Sequence, residues 1–170
     1  MSFSRQEYHQ LPRHPLIVCA ALVENPRNLG ALCRTVEAFR LQSLVLADLR
    51  IAQNRKFRQL AAATYGWQPL EECSPARLLN WLHHQRQQGY ARLGLTANQE
   101  AEPLHQAKLP QKAVLVLGRE LTGIPDEIER GCDRTLTIPQ YGMAESLNVQ
   151  TAAAIAIYEY IRQWGMAASP

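Results

Sequence analysis

Short continuous apolar runs alternating with stretches of helical periodicity are the strongest constraint on what this 170-residue chain can become. Residues 16–23 (LIVCAALV) form one such run, bounded by Pro15 and by Asn25-Pro26. It is too short for a helix of its own and reads as a strand buried on both faces, as in a parallel sheet. Residues 44–46, 91–96, 113–117 and 135–138 repeat the signal. Between them, residues 28–39 carry Leu29, Leu32, Val36 and Phe39 at helical spacing, and residues 53–63 read as a second helix. Ser74 followed by Pro75 predicts an N-cap with proline in the first turn, opening a helix to about Gln87 that Gly89 stops. Residues 125–130 give a short helix, and residues 145–164 close the pattern. Strands alternating with helices predict an α/β domain with a mostly parallel sheet flanked by helices. With no internal repeat or linker, the expectation is a single domain over 1–170, its core at about 16–164 after a short basic segment 1–15.

Composition narrows the function classes. No window reaches about 18 uninterrupted apolar residues, which argues against a membrane span, and residues 1–13 are polar, without the apolar stretch of a signal peptide. Cys19, Cys33, Cys73 and Cys132 lack C-x-x-C spacing and close histidines, so the reading is free thiols in a reducing cytoplasm and no metal. The net charge is only +3, but it is unevenly distributed. Arg5, Arg13, His14, Arg27, Arg34, Arg40, Arg50, Arg55, Lys56 and Arg58 fall within the segment from Arg5 to Arg58 with few acids between them. Such a stretch is either a surface for phosphate or a solvated basic face.

Parallel sheets bind ligands beyond the carboxyl ends of their strands. Three loops qualify: Thr96-Ala97-Asn98, Gly118-Arg119-Glu120, and Pro139-Gln140-Tyr141-Gly142, all expected on one edge. The last leads into Ser146-Leu147-Asn148 and then an alanine-rich helix so poor in charge that it should be covered on most sides. On the first helix, Arg27, Ala31, Arg34 and Ala38 lie opposite the apolar stripe, so Arg34 projects away from its own core. It could grip a phosphate or close a surface ion pair. Asn28 reads as an N-cap. Gly118 would let backbone approach a ligand closely, and Gly123 would permit a tight turn. Glu120 could hold a donor group or only its own turn. Ser146 and Asn148 could be caps or ligands. None of His9, His14, His83, His84 and His105 falls within these loops, which argues against a hydrolytic triad.

Together these motifs resemble the SpoU/TrmH branch of the SPOUT RNA methyltransferases. Asn28 followed by Arg34-Thr35 is similar to the family's first motif. The strand ending in Gly118-Arg119-Glu120-Leu121-Thr122-Gly123 is similar to the second, and Ile138-Pro139 through Ser146-Leu147-Asn148-Val149 to the third. The resemblance implies S-adenosylmethionine as methyl donor, the ribose 2′-hydroxyl of tRNA or rRNA as acceptor, a homodimer, and a deep trefoil knot near the carboxyl end, an exception to ordinary connection rules. It assigns Thr96, Leu117, Gly118, Ile138 and Leu147 to the donor. Arg34, Asn28, Glu120, Ser146 and Asn148 become the catalytic set, with Arg34 serving across the dimer interface. Arg27, Arg34, Arg55 and Lys56 become RNA contacts. The chain departs from the family pattern at Phe39-Arg40-Leu41, where glycine is usual, and at Gln150, where serine is frequent. A knotted RNA-binding protein without catalysis is the alternative that the motifs leave open.

Overall fold

The expected alternation is realised as a seven-stranded parallel sheet in the computed structural model, which describes residues 5–165. In chain order the elements are α1 (Arg5–Gln10), β1 (His14–Cys19), α2 (Pro26–Ala38), β2 (Leu41–Leu46), α3 (Arg55–Ala61), β3 (Leu70–Glu72) and α4 (Leu78–Gln87). There follow β4 (Ala91–Thr96), β5 (Glu102–Pro103), β6 (Ala113–Leu117), α5 (Asp126–Arg130), β7 (Arg134–Thr137) and α6 (Val149–Trp164). The sheet order is β3-β2-β1-β6-β4-β7-β5, and every pairing is parallel. The segment expected at 1–15 begins outside the described residues, as does the side chain of Arg5.

Strands buried on both faces need cover on both. On one side, α2, α3 and α6 bring Leu29, Leu32, Val36, Phe57, Ala153, Ile157 and Tyr160 onto Leu16, Val18, Leu44, Leu46, Leu115 and Leu117. On the other, α4 and α5 bring Leu78, Leu82 and Ile128 onto Ile17, Cys19, Val45, Val114 and Val116. β6 is wholly buried in the middle of the sheet, so its AVLVL run has no polar alternation to show. Among the described residues no helix is long and apolar enough to cross a membrane.

Several local expectations are corrected. Asn25, not Asn28, caps α2: its side chain accepts the Arg27 N–H at 2.9 Å, and Pro26 takes the first turn. The run 16–23 leaves the sheet at Cys19 but stays buried, because the Ala20 N–H still donates to the Val45 carbonyl at 2.9 Å. The closing helix begins at Val149 rather than 145, capped by Asn148, whose Oδ1 accepts from Gln150 and Thr151. Ser74 makes no side-chain cap, and a 3₁₀ turn at Pro75–Arg77 precedes α4. The charge-poor α6 is not covered on most sides in a single chain. It buries Ala153, Ala156, Ile157 and Tyr160 but leaves Ile155 41% and Tyr158 53% exposed.

α6 is held from two directions. Trp164 donates to the Leu109 carbonyl, Tyr160 to that of Gln111, and Gln163 bonds both Ala107 and Leu109, fixing its far end against the 104–111 segment. Its near end lies against α2 through Asn148, which donates to Asn28 at 3.1 Å.

Candidate functional site

β6, β4 and β7 are neighbours in the sheet, and their carboxyl ends open into a cavity of about 350 Å³. That volume lies at the small end of the range typical of small-molecule sites. Leu95, Leu117, Ile138, Leu147, Val149 and Ala152 supply apolar wall, and Thr96, Arg119, Glu120, Thr122, Gln140 and Ser146 supply polar groups. All five positions expected to hold a donor molecule, Thr96, Leu117, Gly118, Ile138 and Leu147, line it.

The loop after β6 forms one wall. The Arg119 N–H donates to the Gly123 carbonyl at 2.9 Å, and the Gly123 N–H returns to the Arg119 carbonyl at 3.0 Å. Closing so small a ring requires Gly123 at φ +72°, a conformation that glycine adopts without penalty. A Cβ on Gly118 would stand 2.4 Å from the Gly123 carbonyl carbon. The space a side chain at Gly118 would need is thus taken by its own loop, while the residue still lines the cavity.

Glu120 points away from the cavity floor toward the start of α2. It accepts N–H groups from Asn25 at 3.0 Å and Glu24 at 3.3 Å, and the Asn28 side-chain amide at 3.2 Å. Burial would raise its pKa, but these donors outweigh that effect and hold the carboxyl below the ordinary glutamate range. Asn28 in turn accepts from Asn148 at 3.1 Å. Three expected catalytic residues, 92 and 120 positions apart along the chain, thus form one relay, Asn148–Asn28–Glu120. Ser146 lines the cavity mouth, and its hydroxyl has no protein partner among the described residues.

Arg34 is not brought into this group. It stands exposed on the outer face of α2, two turns beyond Arg27, with no hydrogen bond or ion pair to any described residue. Neither arginine lines the cavity. Arg55 and Lys56, exposed at the start of α3, likewise have free side chains.

Other cations of the expected basic face are occupied. Arg50 grips Asp48 as an ion pair, and Arg58 donates to the Ala52 carbonyl while lying over the Tyr65 ring. Arg40 holds the carbonyls of Tyr8, Leu11 and Pro12, and Arg13 those of Leu41 and Trp67, so both are structural. Sequence reasoning missed Gln140 and Thr122, whose only signal was membership in strand-end loops. It also read Arg119 only as part of a motif.

Beside the first cavity and sharing Ile138 with it lies an apolar hollow of about 390 Å³. Leu104, Pro139, Tyr141, Ile155 and Tyr158 line it, together with His105 and Glu159. Tyr141 is almost wholly exposed there, and Met143 and Leu121 are almost wholly exposed on their own loops. Among the described residues no group of His, Cys, Asp and Glu is placed to hold a metal ion.

Comparison with known proteins gives a consistent result. Residues 15–158 match the model of the SpoU rRNA Methylase family. The chain is 39% identical over 148 residues to a tRNA (guanosine(18)-2′-O)-methyltransferase of Mus musculus, covering 87% of this chain. It spans only 9% of that relative's length, and 11% of a Saccharomyces cerevisiae relative bearing the same activity in its name. Among solved structures it is similar to the TrmH/SpoU tRNA modifying enzyme of A. aeolicus, with TM-score 0.82, 27% identity, and coverage of 94% of this chain and 80% of that one. The fold is also that of the SpoU methyltransferase AviRb from Streptomyces viridochromogenes in complex with AdoMet, with TM-score 0.76, 22% identity, and coverage of 100% of this chain and 64% of that one.

Proposed function

The chain belongs to the SpoU rRNA Methylase family, and from that premise we propose that it methylates a ribose 2′-hydroxyl of tRNA or rRNA with S-adenosylmethionine as donor. The observation that carries the reading is the cavity at the ends of β4, β6 and β7, with the Asn148–Asn28–Glu120 relay at its edge. The lining suits an amphiphile of this kind, since its apolar residues would accept an adenosine and its polar ones would serve an amino-acid end. Thr96, Leu117, Gly118, Ile138 and Leu147 hold it. When bound, the donor supplies an activated sulfonium methyl group.

The protein's own task is then alignment and charge. Holding a ribose hydroxyl in line with a methyl group contributes on the order of 7–11 kcal/mol. Arg34 stabilises the developing alkoxide through its guanidinium charge rather than accepting its proton, which passes to solvent. Asn28, Glu120, Ser146 and Asn148 fix the nucleotide and the arginine. Arg34 stands outside the cavity of its own chain, which supports its presentation by a second copy.

The exposed face of α6, with Ile155 and Tyr158, and the adjoining apolar hollow supply a surface for that homodimer. Arg27, Arg34, Arg55 and Lys56, the unengaged cations, carry phosphate contacts to a structured RNA. The hold on α6 from both α2 and the 104–111 segment suits a chain threaded as a trefoil knot. Four free cysteines suit the cytoplasm.

The test is incubation with tritiated donor and total RNA from a methylase-deficient strain, followed by nucleoside analysis. Label in a 2′-O-methylnucleoside supports the reading. Label on a base, or none, refutes it.

A further inference from the structure

We propose that the Arg119 guanidinium receives the carboxylate at the amino-acid end of the methyl donor, an inference that rests on the functional reading above. Its backbone is pinned on both sides by the Arg119–Gly123 pair of hydrogen bonds, so the side chain starts from a fixed point on the cavity wall. The residue is half-buried and lines the cavity, yet its guanidinium has no hydrogen bond or ion pair with any described residue. Among the described residues the other partly or fully buried arginines are all engaged. Arg13 and Arg40 hold carbonyls, Arg92 holds Asp133, and Arg134 holds Glu102.

The neighbouring carboxylate does not serve Arg119 either. Glu120 turns away and is filled by Asn25, Glu24 and Asn28. Arg119 is the sole cation among the described residues lining this cavity. A half-withdrawn guanidinium beside apolar wall is poorly compensated until an anion arrives, and its fork fits a carboxylate through two parallel hydrogen bonds. The donor brings one such group. Were adenosine to lie against Leu95, Ile138 and Leu147, the amino-acid end would be left to the polar residues of the lining, where Arg119 is the one cation among the described residues. An RNA phosphate is the other anion within the reaction. Membership of the cavity lining favours the donor.

The experiment is calorimetric titration of the full chain with S-adenosylmethionine and with decarboxylated S-adenosylmethionine, which differ only in the carboxylate. Wild type, Arg119→Ala and Arg119→Lys are compared. A charge-assisted contact predicts that wild type prefers the intact donor by about tenfold or more. Arg119→Ala brings that preference close to one by losing affinity for the intact donor alone, and Arg119→Lys keeps part of it, as a charge without the fork. Equal weakening of both compounds, or unchanged binding of both with weaker RNA binding, overturns the assignment. Wild type binding both compounds equally overturns it while leaving the functional reading intact. Wild type binding neither overturns the functional reading itself and this inference with it.

Discussion

Replacing Gly118 by alanine should collapse the cavity wall, and the size of the effect follows from distances. An ideal Cβ there would lie 2.4 Å from the Gly123 carbonyl carbon, 2.6 Å from the Ile124 nitrogen and 2.7 Å from the Gly123 Cα. These are backbone atoms, so no side chain can swing aside, and the loop itself must open. Overpacking of this kind costs about 1–3 kcal/mol. Opening the loop also strains or breaks the two Arg119–Gly123 hydrogen bonds, each contributing about 0.5–1.5 kcal/mol. A total of about 2–6 kcal/mol lowers Tm by about 4–24 °C in a domain of this size. Gly142→Ala is the matched control, because its Cβ would meet nothing within 4 Å. Circular dichroism melts give the stability of both variants, and calorimetry gives donor affinity. Gly118→Ala should lose both stability and donor binding, and Gly142→Ala neither. Equal melting temperatures and equal donor affinities in the two variants would refute the reasoning.

Two further outcomes follow from the relay and the buried ion pair. Asn28→Ala removes the link between Glu120 and Asn148 at an accessible site, so stability should change by less than about 1 kcal/mol. Methyl transfer should nevertheless fall more than about tenfold with donor affinity nearly unchanged, and a transfer rate equal to wild type would remove the relay from the mechanism. Arg92 is buried and paired with Asp133 through two side-chain bonds at 2.7 and 3.0 Å, so Asp133→Asn should destabilise by about 1–3 kcal/mol near neutral pH. The hydrogen bonds from Arg92 hold the Asp133 carboxyl below its ordinary range. Its contribution is therefore complete above the unfolded value of about 3.9 and is lost as pH falls through the lower folded value. Denaturant titrations at pH 7 and below pH 4 should show the gap between wild type and variant closing in acid. A gap independent of pH would contradict the assignment.

The parts legible in sequence were those governed by local pattern. β4 and β6 span the residues that their apolar runs indicated, since a strand buried on both faces is written in consecutive side chains. β3 and β5 were not readable: one is Leu-Glu-Glu and the other Glu-Pro, too short and polar to carry a period. Their pairing comes from neighbouring strands. The cap of α2 was misplaced because Asn25 and Asn28 are both competent, and Pro26 after Asn25 decides between them. Freed from capping, Asn28 can join Glu120 and Asn148. That meeting is tertiary and has no local signal, although the motif resemblance had grouped the same residues. Charge counting was the weakest guide. Arg13 and Arg40 belong to the stretch that sequence leaves open between a phosphate surface and a solvated face, but each holds backbone carbonyls at the junction of β2 with the amino-terminal segment. The exposed face of α6 was also illegible, because an alanine-rich helix reads alike whether its cover comes from its own chain or from a second copy.

The proposed reaction requires Arg34 to act at the acceptor hydroxyl while the strand-end cavity holds the donor. Single-turnover transfer by Arg34→Ala, measured beside calorimetric donor binding, separates the two roles. Loss of about three orders of magnitude in rate, on the scale of a group that stabilises developing charge, with donor affinity within about twofold of wild type, is the predicted result. Transfer at the wild-type rate, or donor affinity falling in step with rate, would contradict it.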